Sequence, residues 1–202
     1  MTFSRFQIVF VGLALAALAT PALAHSGAGV EGGFMSGLGH PIGGLDHLVA
    51  MVAVGLWGAV LGRPAIWILP IVFPLVMAIG AAMGITGISV PFIELGIALS
   101  GVVLGLFIVF FVKTPMVVAA VLVGLFAIFH GHAHGTEMGD DYNGIAYAVG
   151  FVISTGLLHL AGIALGSLTT NHIGKWVVRA SGVAIALVAG SFLLPILMPG
   201  AA

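Results

Sequence analysis

Residues 65–85 read AIWILPIVFPLVMAIGAAMGI, a run without one charged side chain. An α-helix needs ~20 apolar residues to cross a ~30 Å hydrocarbon core, and this stretch has that length. Five others resemble it, at 44–62, 91–112, 115–135, 143–168 and 176–198. Between them stand Gly62-Arg63-Pro64, Thr86 to Pro91, Lys113-Thr114-Pro115, Gly139 to Asn143 and Thr169 to Gly174, the punctuation that ends helices. The fold class expected is therefore an all-α membrane protein, a six-transmembrane-helix bundle. Pro70 and Pro74 should kink the second span.

Composition agrees. Of 202 residues, 61% are hydrophobic and 5% charged, far below the roughly 25% charge of a soluble domain. Lipid must replace water as the main solvent. Glycines fall inside the apolar runs, as in Gly101/Gly105 and Gly162/Gly166, and small residues four apart let membrane helices approach closely. The chain has no cysteine, which excludes disulfides, thiolate metal sites and a Cys nucleophile.

Residues 1–24 have the form of a secretory signal peptide: Arg5, an apolar stretch from Ile8 to Ala19, and Ala22-Leu23-Ala24 at the cleavage site. The alternative is an uncleaved first helix. Cleavage would start the mature chain, residues 25–202, at His25, with its N-terminus outside. Threading six spans from there puts Arg63, Lys113, Lys175 and Arg179 at cytoplasmic ends. Glu31, Asp46, Glu94, Glu137, Asp140 and Asp141 then fall at or near the outer face. Such a face attracts cations and repels anions, so nucleic acid and nucleotides are poor partners. No phosphate-binding Gly-rich motif is present to power transport with ATP.

Two constellations carry chemistry. The first, His40-Pro41-Ile42-Gly43-Gly44-Leu45-Asp46-His47, leads into the first span. Imidazole nitrogen and carboxylate oxygen suit borderline divalent metals, and the Gly-Gly pair would let the segment carrying His40 fold back over the opening turn. The plainer alternative makes Asp46 a helix cap, His40 a loop residue and His47 an interfacial side chain.

The second, Phe129-His130-Gly131-His132-Ala133-His134-Gly135-Thr136-Glu137, closes the fourth span. On a helix His130, His134 and Glu137 share a stripe about 60° wide, with His132 opposite. Seven residues separate His130 from Glu137 by about 10 Å, too far to grip one ion easily. His130 and His134 are thus expected as a ligand pair, with Glu137 at the entrance or behind a ligand. Both motifs stand at outer ends, and would meet if the first and fourth spans are neighbours. Glu94 and His159 are auxiliary candidates along a path inward, since ionisable groups within membranes face the bundle interior or water. Thr155 lies one turn before His159 on the same face. His25 and His132 are further auxiliary candidates, and His172 is expected in a cytoplasmic loop.

With both motifs in view the chain resembles the HupE/UreJ family of bacterial nickel and cobalt permeases. The resemblance spans the mature chain and rests on a His-x5-Asp-His motif (His40 to His47) and a Phe-His-Gly-x-Ala-His-Gly-x-Glu motif (Phe129 to Glu137), with every fixed position present. It implies His40, Asp46, His47, His130, His134 and Glu137 as metal ligands, places His132 at a variable position, and implies uptake of Ni2+ or Co2+ across the bacterial inner membrane for urease, hydrogenase or cobalamin pathways. Zn2+ also suits these donors, and Cu2+ would outbind all three in simple competition. No prosthetic group and no enzymatic activity are expected. The partners expected are a divalent metal ion and membrane lipid, with self-association and delivery to a cytoplasmic metallochaperone left open. Two other readings compete: an intramembrane zinc hydrolase with Asp46 or Glu137 as base, against which no His-Glu-x-x-His motif occurs, and a metal-binding accessory protein without transport.

Overall fold

The computed structural model describes residues 33–137 and 144–198. The expected signal peptide, His25, Glu31, Asp140 and Asp141 lie outside them. Seven α-helices are described: α1 (Phe34–Gly43), α2 (Leu45–Leu61), α3 (Ala65–Ile85), α4 (Ile93–Val109), α5 (Met116–Glu137), α6 (Gly144–Gly166) and α7 (His172–Leu197). A short 3-10 turn, Ser167–Thr170, joins the last two. Four of them, α3, α5, α6 and α7, are long and apolar enough to cross a membrane; α1 and α2 together make a fifth candidate, bent by 84°, and α4 is a shorter apolar helix of 17 residues. The chain is a multi-pass helical membrane protein.

The prolines of α3 do not interrupt it: the helix runs continuously over Pro70 and Pro74. The bend between α1 and α2 was not expected as two helices. Residues 34–43 contain glycines and a proline and look like a loop, yet Phe34, Gly37 and Pro41 recur at helical spacing, and the latter two are buried. At the bend Gly44 is extended, with φ −97 and ψ 116, a conformation any residue can adopt. What Gly44 contributes is space: a Cβ there would stand 2.9 Å from Asp46 Oδ1 and 3.1 Å from His47 Nδ1. A second difference concerns His172, which opens α7 and is not a loop residue; its ring lies 6.3 Å from that of Trp176.

The bundle has the polarity of a protein solvated by lipid. Large apolar side chains face outward in helical stripes, such as Ile71, Leu75 and Ile79 on α3 or Val117, Val121 and Leu125 on α5. In water so broad an apolar surface would drive association. Large side chains such as Trp57, Phe73 and Met51 fill the interior, and at several seams glycines let helices touch backbone to backbone. Along the α3–α5 seam, a Cβ on Gly131 would stand 2.0 Å from the Met77 carbonyl oxygen, and one on Gly135 2.1 Å from that of Ala81. Gly105 meets the backbone of α7 and Gly162 that of α2, while Gly101 and Gly166 lie against the side chains of Ala189 on α7 and Ala59 on α2. Helix α2 forms the centre: every residue from His47 to Gly58 except Val52 is buried.

The two ends differ in charge. At one, Lys113 donates to the Val60 carbonyl, Trp57 Nε1 donates to the Val112 carbonyl at 3.2 Å, and the Arg179 guanidinium lies 5.2 Å from the Phe111 ring centre. The start of α2, the end of α5 and the start of α6 meet at the other, which carries the histidines and carboxylates.

Candidate metal centre

Helix α5 sorts its motif residues by face. The glycines following His130 and His134 seat α5 on α3, and this turns the histidines, about 100° away, toward α1, α2 and α6. His134 becomes the hub. Its ring centre is 4.7 Å from His40, 4.4 Å from His47 and 4.7 Å from Phe151. His47 in turn lies 4.9 Å from His130. Four imidazoles thus form a line, His40–His134–His47–His130, running from the partly exposed rim to a fully buried position. The first and fourth predicted spans meet here through these histidine side chains.

At the rim, one ligand atom each of His40, His134 and Glu137 lies within 4.8 Å of the others, near enough to share one ion. His40 Nε2 is 3.9 Å from Glu137 Oε2. The grouping differs from the expected pair of His130 with His134. A helical wheel treats α5 by itself; in the bundle His47 of α2 touches both rings, and α1 brings His40 to His134 and Glu137. Glu137 is therefore grouped with His134 and His40, and not with His130.

Asp46, expected as a ligand, is engaged with its chain neighbour. Its Oδ1 lies 3.0 Å from His47 Nδ1. The carboxylate accepts the Nδ1–H, so the lone pair of His47 sits on Nε2, which is buried and without a hydrogen-bond partner. A carboxylate behind an imidazole orients the ring and raises its basicity as a ligand. Both nitrogens of His134 and Nδ1 of His130 are likewise buried and unpartnered. Buried polar atoms normally have partners; here several basic nitrogens without them converge in one place, a demand that a cation would meet.

The auxiliary residues fall elsewhere. His132 points away from the line, and its Nε2 donates to the Ile88 carbonyl at 2.8 Å, tying α5 to the α3–α4 loop. Glu94 is exposed in the first turn of α4. His159 is buried on α6, with Phe73 of α3 5.7 Å from its ring and 5.7 Å from that of His130. Tyr147, Phe151, Thr155 and His159 are all buried and follow one another at i, i+4 spacing on α6, a stripe that leads from the histidine line inward. His134 also lines a cavity of about 340 Å³ with Pro74, Met77, Tyr147 and Phe151. Sequence reasoning missed Ser100 of α4, whose hydroxyl lies 3.0 Å from His130 Nε2; a single serine in an apolar helix carries no pattern that would mark it.

Fold and site together define a multi-pass membrane protein that concentrates imidazole and carboxylate donors at one end of its helices. The chain belongs to the HupE/UreJ family: residues 13–193 match the family described as HupE / UreJ protein. It is 49% identical over 181 residues to Protein HupE of Rhizobium leguminosarum bv. viciae, covering 89% of this chain and 94% of that one. No solved structure matches it.

Proposed function

We propose that the protein is a permease or facilitator for Ni2+ or Co2+ in the bacterial inner membrane, taking the ion in at its histidine-rich end. The observation that carries this reading is the convergence of His40, His134 and Glu137 on one point, continuous with His47 and His130. In this reading α2 to α7 are the six spans, residues 1–24 are removed, and the basic end faces the cytoplasm as charge asymmetry requires. Helix α1 then lies over the outer mouth and contributes His40. The 17 residues of α2 rise about 26 Å, close to the thickness to be crossed.

The ion loses water to the rim group, passes to His47 and His130, and moves inward past Phe73 toward His159. An inside-negative potential of about 100 mV contributes about 2.3 kcal/mol per charge, roughly 4.6 for a divalent ion. That corresponds to more than a thousandfold accumulation, so neither ATP nor a coupled ion is required. Release demands that binding be moderate. Neutral imidazoles, in contrast to a cage of carboxylates, provide donors without accumulating negative charge.

The test is Ni2+ uptake by the full chain in proteoliposomes under an inside-negative potential. His47→Ala and His130→Ala are expected to lose uptake; wild-type rates in either variant would refute the pathway. Binding without flux would point to an accessory role, and tightly held zinc with hydrolytic turnover to an enzyme. Asp46 offers a graded check by calorimetric titration with Ni2+. Asp46→Ala is expected to weaken binding by about 10–100-fold, the usual range for groups behind a ligand. Asp46→Asn should lose less, because its amide oxygen still accepts from His47 Nδ1.

A further inference from the structure

We infer that Ser100 is a positioning residue that holds His130 in a single tautomer, with the proton on Nε2 and the lone pair on Nδ1. As a claim about metal affinity it rests on the function proposed above; as a claim about the proton it does not. Ser100 is fully buried on α4, and its hydroxyl makes two contacts: 2.6 Å to the Ile97 carbonyl oxygen and 3.0 Å to His130 Nε2. A hydroxyl has one proton to donate and lone pairs to accept with, and a carbonyl oxygen can only accept. The proton of Ser100 is therefore committed to Ile97. Were it turned toward His130 instead, two oxygens 2.6 Å apart would face each other with no proton between them.

Nε2 of His130 must then be the donor, and Nδ1 is the basic nitrogen. That nitrogen is buried and without a hydrogen-bond partner, and the ring it belongs to makes edge contact with His47. The arrangement mirrors Asp46 and His47 with the nitrogens exchanged. In each pair one ring nitrogen spends its proton on a fixed acceptor and the other is left with its lone pair. The close approach of α4 that this needs has its own provision. A Cβ on Gly96, one turn before Ser100, would lie 2.4 Å from the Phe129 ring, so glycine there lets the residue beside His130 lie against α4.

The experiment uses the purified full chain in nanodiscs with 15N-labelled histidine, first without metal. Nitrogen–proton correlations are expected to show His130, assigned by its loss in His130→Gln, in the Nε2–H form. Ser100→Ala should leave thermal unfolding close to wild type, convert His130 to a mixture of tautomers, and weaken Ni2+ binding about 10–100-fold. Ser100→Thr, which keeps the hydroxyl, should restore both readouts. A wild-type His130 in the Nδ1–H form, or Ser100→Ala with unchanged tautomer or unchanged affinity for Ni2+, overturns the inference. If the wild type binds no Ni2+ yet His130 holds an Nε2–H form that depends on Ser100, the assignment of the proton stands and the proposal of metal uptake falls.

Discussion

Replacing His134 with alanine is expected to abolish Ni2+ uptake and to weaken binding by more than the ~100-fold that loss of a supporting group costs. The reason is its position. Its ring touches both His40 and His47, and it belongs to the rim group with Glu137. Removing it breaks the line of imidazoles in the middle and leaves the rim with His40 and Glu137 alone. His132→Ala, one face away on the same helix, should leave binding near wild type, because its ring is directed at the Ile88 carbonyl. Titration of both variants beside wild type reads the difference. Equal losses would mean that α5 supplies general packing and no specific donor.

The second large effect is steric. Gly131→Ala is expected to destabilise the bundle by at least the ~1–3 kcal/mol typical of overpacking, because the added carbon would lie 2.0 Å from the Met77 carbonyl oxygen. Backbone cannot rotate aside as a side chain can, so α3 and α5 must separate. Separation moves His130 and His134, and metal uptake should fall with stability. Gly156→Ala on α6 is the matched control. Nothing stands within 4 Å of a Cβ there, and alanine in a helix is favoured over glycine by roughly 0.5–1 kcal/mol. The two substitutions should thus shift the melting temperature in opposite directions. A Gly131→Ala protein as stable as wild type would contradict the seam described.

Much of the fold was legible because lipid imposes a simple rule on sequence. The second span was bounded correctly at 65–85, where Gly62-Arg63-Pro64 and Gly87 leave little choice. The site was legible as composition and depth, since burying three histidines at alternate positions beside a carboxylate in an apolar helix is costly unless they bind something. Its internal geometry was not legible. The helical rise already set Glu137 apart from His130, but its grouping with His40 depends on where α1 folds, and α1 itself is hidden in a glycine-rich stretch that resembles a loop. The motif glycines illustrate a further limit: Gly131 and Gly135 look like spacing between ligands, but they are the contact surface that aims the ligands. Asp46 and Ser100 show a third. The sequence marks a carboxylate as a donor and leaves a serine unmarked, yet both hold a histidine proton in place.

The most direct test of metal entering through this cluster is X-ray absorption at the nickel edge on the Ni2+-loaded full chain, wild type against His134→Ala. The account predicts a shell of nitrogen and oxygen only, with imidazole scattering in the wild type that is lost or sharply reduced in the variant. A wild-type shell lacking imidazole, or one unaltered by removing His134, would contradict it.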